Sequence, residues 1–234
     1  MCPIDKSIFD FMHTWLVGGI FNVHVGYLIH AIKEFGYGQQ VLDQYTNQFV
    51  WPGNMGGKSN PCKDMFSSKR YKSHWKEWSL KVQASERLGI MPVLACLMAG
   101  AIGQGQPMLD RHASWFLILV QCIELILRSS KFAIDLEVLQ QSIGSHLKAF
   151  QDLYGAQAMT PKFHYSLHVP TFLRRFGWVP NCFVVERKHK IPKRFENHMC
   201  TNHASYERSA LREVTNMYIS ILFHVPEHFL NLQV

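Results

Sequence analysis

Apolar residues recur three and four positions apart along most of this 234-residue chain, a spacing that confines it to helices buried through one face. Between Ser7 and Phe35, Ile8, Phe11, Met12, Trp15 and Leu16 form one stripe, and Val25, Leu28, Ile29 and Ile32 a second. Ser7 suits an N-cap, Gly36 suits a stop, and Gly18 and Gly19 predict a bend or break between the stripes. Ser85 to Leu127 reads as two apolar helices parted by the turn GQGQP. Ala133 to Leu153 reads as a third, carrying Ile134, Leu136, Leu139, Ile143 and Leu147, and Ser205 to Phe223 as a strongly amphipathic fourth. The stretch 36–71, rich in Gly, Asn, Gln, Ser and Pro, reads as a long surface loop with at most one short helix. No run alternates as a strand would. The expected fold is therefore mainly α, one helical domain over 1–234, with 160–197 as its motif-bearing segment.

A hydrophobic content of 47% excludes a mostly disordered chain, and the length supports a sizeable core. A formal charge of +7 is compatible with an anionic partner, although a basic domain that binds nothing of the kind is the simpler reading. The six cysteines stand apart without a CxxC pair, which fits reduced thiols better than a disulfide framework. The first residues lack a signal-peptide pattern, and the apolar run Ile90 to Ile102 falls short of the ~20 residues a membrane helix needs. An intracellular protein with no membrane partner is expected.

Chemistry concentrates between Thr160 and Asn197. His164 and His168 are four apart, so on a helix both imidazoles can reach one ion. Alone, the pair reads as structural. Asp10 and His13, three apart, share a face of the first helix and offer a second pair. Glu186 stands between an apolar FVV and the basic residues Arg187, Lys188, Lys190, Lys193 and Arg194. It is either a metal-binding carboxylate or a helix-surface partner of Lys190. Lys69, Arg70 and Lys72 interleave with Tyr71, Trp75 and Trp78, a mixture suited to phosphates and stacked bases, or else to an amphipathic helix with its tryptophans turned inward. GNMGGKS approaches a phosphate loop but has its first glycine one residue too near. His112, Glu124, Asp135 and His146 read as scaffold.

The segment FHYSLHVPTFLRRFGWVPNCFVVERKHKIPKRF resembles the C-terminal part of CACTA-type DNA transposases. These have a ribonuclease-H-like core and an Asp-Asp-Glu triad, and the V(D)J recombinase catalytic subunit is a more distant likeness. In these families two histidines precede a hydrophobic stretch and then the triad glutamate, an order that His164, His168, Val169, Pro170 and Glu186 match. An earlier Asp-x-x-His or Cys-x-x-His element joins those histidines around zinc, and DFMH, Asp10 to His13, is similar to it. The resemblance implies a structural Zn²⁺ on Asp10, His13, His164 and His168, with Glu186 as a catalytic carboxylate for Mg²⁺ in an intact enzyme. It also implies DNA contacts from the two basic clusters. In the family both catalytic aspartates precede the Asp-x-x-His element, and this sequence offers no good candidate for either.

The resulting expectation is a transposase-derived fragment that holds zinc, binds DNA in the nucleus, and does not cleave it alone. Helical insertion and C-terminal helices would remain from the ribonuclease-H-like core, without most of its sheet. Self-association, or association with a full-length transposase, would supply partners. The alternative is a helical interaction protein whose basic surfaces bind RNA or an acidic protein. A hydrolase unrelated to transposition ranks behind both.

Overall fold

The structure is a computed structural model that describes residues 9–51, 60 and 62–179, together with Arg212 and Thr215. The chain divides into two compact units, Met1–Asn181 and Cys182–Val234, where the sequence reads as one domain. Among the described residues the fold is mainly α, with no strand. The expected helix over Ser205 to Phe223 lies outside the described residues apart from Arg212 and Thr215, both helical.

The first unit opens with one π-helical turn, Met12–Leu16, followed by α1 (Ile20–Lys33), α2 (Gln39–Gln48), α3 (Ser68–Lys76) and α4 (Ala84–Ala101). Next come α5 (Pro107–Arg128), α6 (Leu136–Tyr154), α7 (Pro161–Ser166) and α8 (Val169–Phe176). The predicted break at Gly18 and Gly19 is present. Gly18 has φ +58, a conformation that glycine adopts without a Cβ penalty, and it turns the chain between the π turn and α1.

α5 is the central helix, packed on α4, α6 and α1. Leu109, Ala113, Phe116, Leu119, Val120, Ile123 and Ile126 form its buried stripe at three- and four-residue spacing. Burying each large side chain of that stripe contributes roughly 1.5–3 kcal/mol. Phe21 of α1 meets Phe116 with ring centroids 6.1 Å apart. The turn between α4 and α5 falls on the GQGQP sequence, with Gly103 and Gly105 at positive φ and Pro107 opening α5. By length and composition Met12–Lys33 and Ala84–Ala101 are apolar enough to cross a membrane, and the first is mostly buried inside this unit.

Asp135, which the sequence leaves as scaffold, is the N-cap of α6: its Oδ1 accepts from the amides of Glu137 at 2.9 Å and Val138 at 3.1 Å. Asp135→Ala should lower stability by about 1 kcal/mol, read as a shifted urea midpoint with an unchanged slope.

Two segments depart from expectation. The stretch 36–71 contains all of α2 and the start of α3, because Leu42 and Thr46, four apart, bury one face of an otherwise polar helix. The segment Lys162 to Phe172, which by sequence is a helix kinked by Pro170 or ending there, forms two helices with the break at Leu167 and His168. A proline lacks the amide hydrogen and crowds the carbonyl four residues back, here that of Ser166, so the earlier helix ends there and Pro170 sits in the first turn of α8.

Candidate functional site

Asp10 and His13 stand just before and within the π turn, and they are bonded to each other. Asp10 Oδ2 accepts from the His13 amide at 2.8 Å and from its Nδ1 at 2.7 Å. A carboxylate on Nδ1 fixes that nitrogen as the protonated one and leaves Nε2 as the lone-pair nitrogen. The other carboxylate oxygen, Asp10 Oδ1, is buried with no hydrogen-bond partner. A buried acceptor without a donor is costly unless something positive approaches it.

His164 and His168 bridge the α7–α8 break. Backbone bonds from Leu167 N to His164 O and from His168 N to Tyr165 O, both 3.1 Å, carry the helical turn across it, so the i,i+4 relation survives. Their Nε2 atoms are 3.4 Å apart. That is long for an N–H···N bond. It equals the separation, about 3.3–3.4 Å, of two nitrogens on a tetrahedral ion with bonds of about 2.0–2.1 Å.

The fold brings these two elements together from opposite ends of the unit. The π turn packs on α7. Phe9 stacks on Tyr165 at 4.2 Å with planes 5° apart, and lies 5.9 Å from the His168 ring. Lys162 Nζ donates to the Val17 carbonyl at 2.8 Å across 145 residues of sequence. The side chains themselves do not complete a centre: among the described residues no three His, Cys, Asp or Glu groups converge where an ion could sit.

The basic candidates divide. Glu186, Arg187, Lys188, Lys190, Lys193 and Arg194 lie outside the described residues. Lys69, Arg70 and Lys72 belong to α3, where Lys69 and Lys72 are exposed and Arg70 donates to Glu86 at 2.9 Å. Of the neighbouring tryptophans Trp75 is half-buried and Trp78 is 46% exposed. Trp75 and Trp78 hold the His30 ring between them, at centroid distances of 3.6 and 3.5 Å. Lys33 Nζ lies 4.5 Å from the Trp75 ring centroid.

A further cluster escaped the sequence reading. His24 of α1 and His146 of α6, both fully buried, join through Nδ1 and Nε2 at 2.9 Å, beneath Phe116, Phe150 and Tyr154. His112 Nδ1 meets the Tyr154 hydroxyl at 2.9 Å nearby. Burial holds His24 well below the usual imidazole range, with His146 and His112 adding to the effect, and pushes His146 down to about 3. Each residue occupies a position in the apolar stripe of its helix, and that was the available signal.

No known family model matches the sequence, and neither a curated protein nor a solved structure matches the chain.

Proposed function

We propose that this is a transposase-derived helical protein that holds zinc and binds DNA, with the Asp10–His13 and His164–His168 pairs as its metal centre. The supporting observation is the packing of the π turn against α7, which puts these two distant pairs on adjoining elements. His164 and His168 supply two nitrogens already at zinc spacing. The resemblance makes His13 the third ligand, which would require its ring to move toward the pair, since the described side chains do not converge. Asp10, whose Oδ1 is buried without a hydrogen-bond partner, is the fourth ligand that the resemblance implies. Zinc in this setting is structural: it ties the N-terminal turn to α7.

Glu186 is this sequence's candidate for the metal-binding carboxylate of the resembled triad. Phosphodiester cleavage with Mg²⁺ requires two more carboxylates, so these residues alone bind DNA without cutting it. A nuclear location follows from that role.

Elemental analysis of protein produced with ample zinc should give about one zinc per chain, and the double variant His164→Ala, His168→Ala should lose it. Stripping the metal with a chelator should lower the melting temperature of the wild type and leave the variant unmoved. Wild-type protein without zinc would remove the metal centre. Absence of duplex DNA binding at low salt would transfer the reading to an interaction protein for RNA or an acidic protein.

A further inference from the structure

From the α3 sequence SKRYKSHWK we infer that the outer face of this helix is a docking strip for the phosphate backbone of duplex DNA; the inference rests on the DNA-binding reading above. At about 100° per residue, Ser68, Lys72, Lys76, Lys69 and Ser73 fall within an arc of about 140°. All five are exposed, while Tyr71 and His74 are buried on the opposite side.

Nothing within the helix offsets this charge. α3 contains no acidic residue, and among the described residues no ion pair joins Lys69, Lys72 or Lys76 to a carboxylate. Lys72 stands three residues from Lys69 and four from Lys76, spacings at which like charges each cost a few tenths of a kcal/mol. Lys69 also sits in the first turn, at the positive end of the helix dipole. Arg70 and Lys81 do have carboxylate partners, Glu86 at 2.9 Å and Glu77 at 3.5 Å. The strip is thus a locally unfavourable concentration of uncompensated positive charge, the kind of conflict that marks a functional surface.

The surroundings select the partner. A protein interface needs an apolar centre, and this arc offers lysine and serine alone. Single-stranded nucleic acid needs aromatic faces set among the cations, and the arc itself carries none; Trp75 and Trp78, the latter 46% exposed, lie outside it and each give one ring face to His30. A regular row of phosphates needs neither. Lys69 to Lys76 spans about 10.5 Å at 1.5 Å per residue. Three lysines within that span can each neutralise one phosphate of the backbone. Ser68 and Ser73 add hydroxyl donors of the kind that position a backbone without reading bases.

The test is fluorescence anisotropy of the full chain with a labelled short duplex of arbitrary sequence, and with one of its strands alone, from about 50 to about 200 mM salt. The triple variant Lys69→Gln, Lys72→Gln, Lys76→Gln should reduce the slope of log K against log salt by about 2.7, at about 0.9 per phosphate. Its melting temperature should be unchanged or raised, and the triple Lys→Arg variant should keep the wild-type slope. Duplex should bind more tightly than single strand, without quenching tryptophan fluorescence. Wild-type binding with an unchanged slope in the triple Gln variant would overturn the strip and leave the DNA-binding reading standing. Preference for single strand with tryptophan quenching would also overturn it. A wild type that binds no duplex would overturn both.

Discussion

Between pH 7.5 and pH 5 the first unit should lose about 2 kcal/mol of stability through His146, with a further loss through His24. Both imidazoles are buried, at 0% and 1% exposure, and among the described residues no carboxylate acts on them. The pair works while neutral. His24 Nε2 has no partner, so the cheaper arrangement leaves it a bare acceptor, with His24 Nδ1–H donating to His146 Nε2. Folded pKa values below the unfolded value of about 6.5 mean that the unfolded chain takes up protons first as pH falls. The stability is therefore complete above about pH 6.5 and declines below it, until the folded values, about 3 for His146, are reached. Below the unfolded value His146 approaches a slope of about 1.36 kcal/mol per pH unit, about 2 kcal/mol in all between pH 7.5 and pH 5, and His24 adds to the loss in the same direction. His112 and His74, also shifted down by burial, add to the decline. Urea unfolding at a series of pH values measures this directly. Replacing both residues, His24→Leu with His146→Leu, should flatten the profile, since removing both partners of a buried bond is far less costly than removing one. A wild-type profile level to within about 1 kcal/mol from pH 7.5 to pH 5 would contradict the account.

The histidine pair shows where the sequence stops being legible. Helix type and order around α4, α5 and α6 could be read because one-face periodicity and the GQGQP turn are local properties. The i,i+3 relation of Asp10 and His13 was likewise local, and the two residues are indeed bonded. His24 and His146 are 122 residues apart, and nothing in either stripe says that the two positions will face each other. Asp10 carries the same lesson in smaller form. Spacing puts Asp10 and His13 on one face, whereas only the turn's geometry shows that the His13 amide and Nδ1 both bond the same oxygen, Asp10 Oδ2. For Trp75 and Trp78 the sequence offered stacked bases or the core; their partner, His30 of α1, belongs to neither alternative because it comes from a helix 45 residues earlier. α2 was hidden by its polar composition, as its buried contact rests on Leu42 and Thr46.

Gly26→Ala should destabilise the first unit by about 3 kcal/mol, although alanine is the better helix former by about 1 kcal/mol. Asn22, Gly26 and His30 are spaced four apart and form one ridge of α1, and the chain from Trp75 to Leu80 lies along it. At one end Asn22 Nδ2 donates to Ser79 Oγ at 2.6 Å, and the Asn22 carbonyl accepts from Leu80 N at 3.3 Å. Arg87 reaches in from α4 to bond both Asn22 Oδ1 and the Leu80 carbonyl, each at 3.1 Å. At the other end His30 is stacked between the two indoles. Gly26 lies between these anchors, where a Cβ would run into the Trp78 carbonyl and the Ser79 amide nitrogen. Both obstacles are backbone, so no side-chain rotation relieves the clash. Trp78 already has φ +47, which leaves the loop little freedom to retreat. Gly144→Ala in α6 is the matched control, because an added Cβ there meets nothing within 4 Å and should stabilise by about 0.5–1 kcal/mol. The check is urea unfolding followed by tryptophan emission, which in Gly26→Ala should shift to the red as His30 and the indoles separate. An alanine variant as stable as the wild type would show that the loop is not seated on the ridge. Because that loop joins α3 to α4, the same seating sets the direction in which the α3 lysines face, so Gly26→Ala should also weaken duplex binding without removing a single charge.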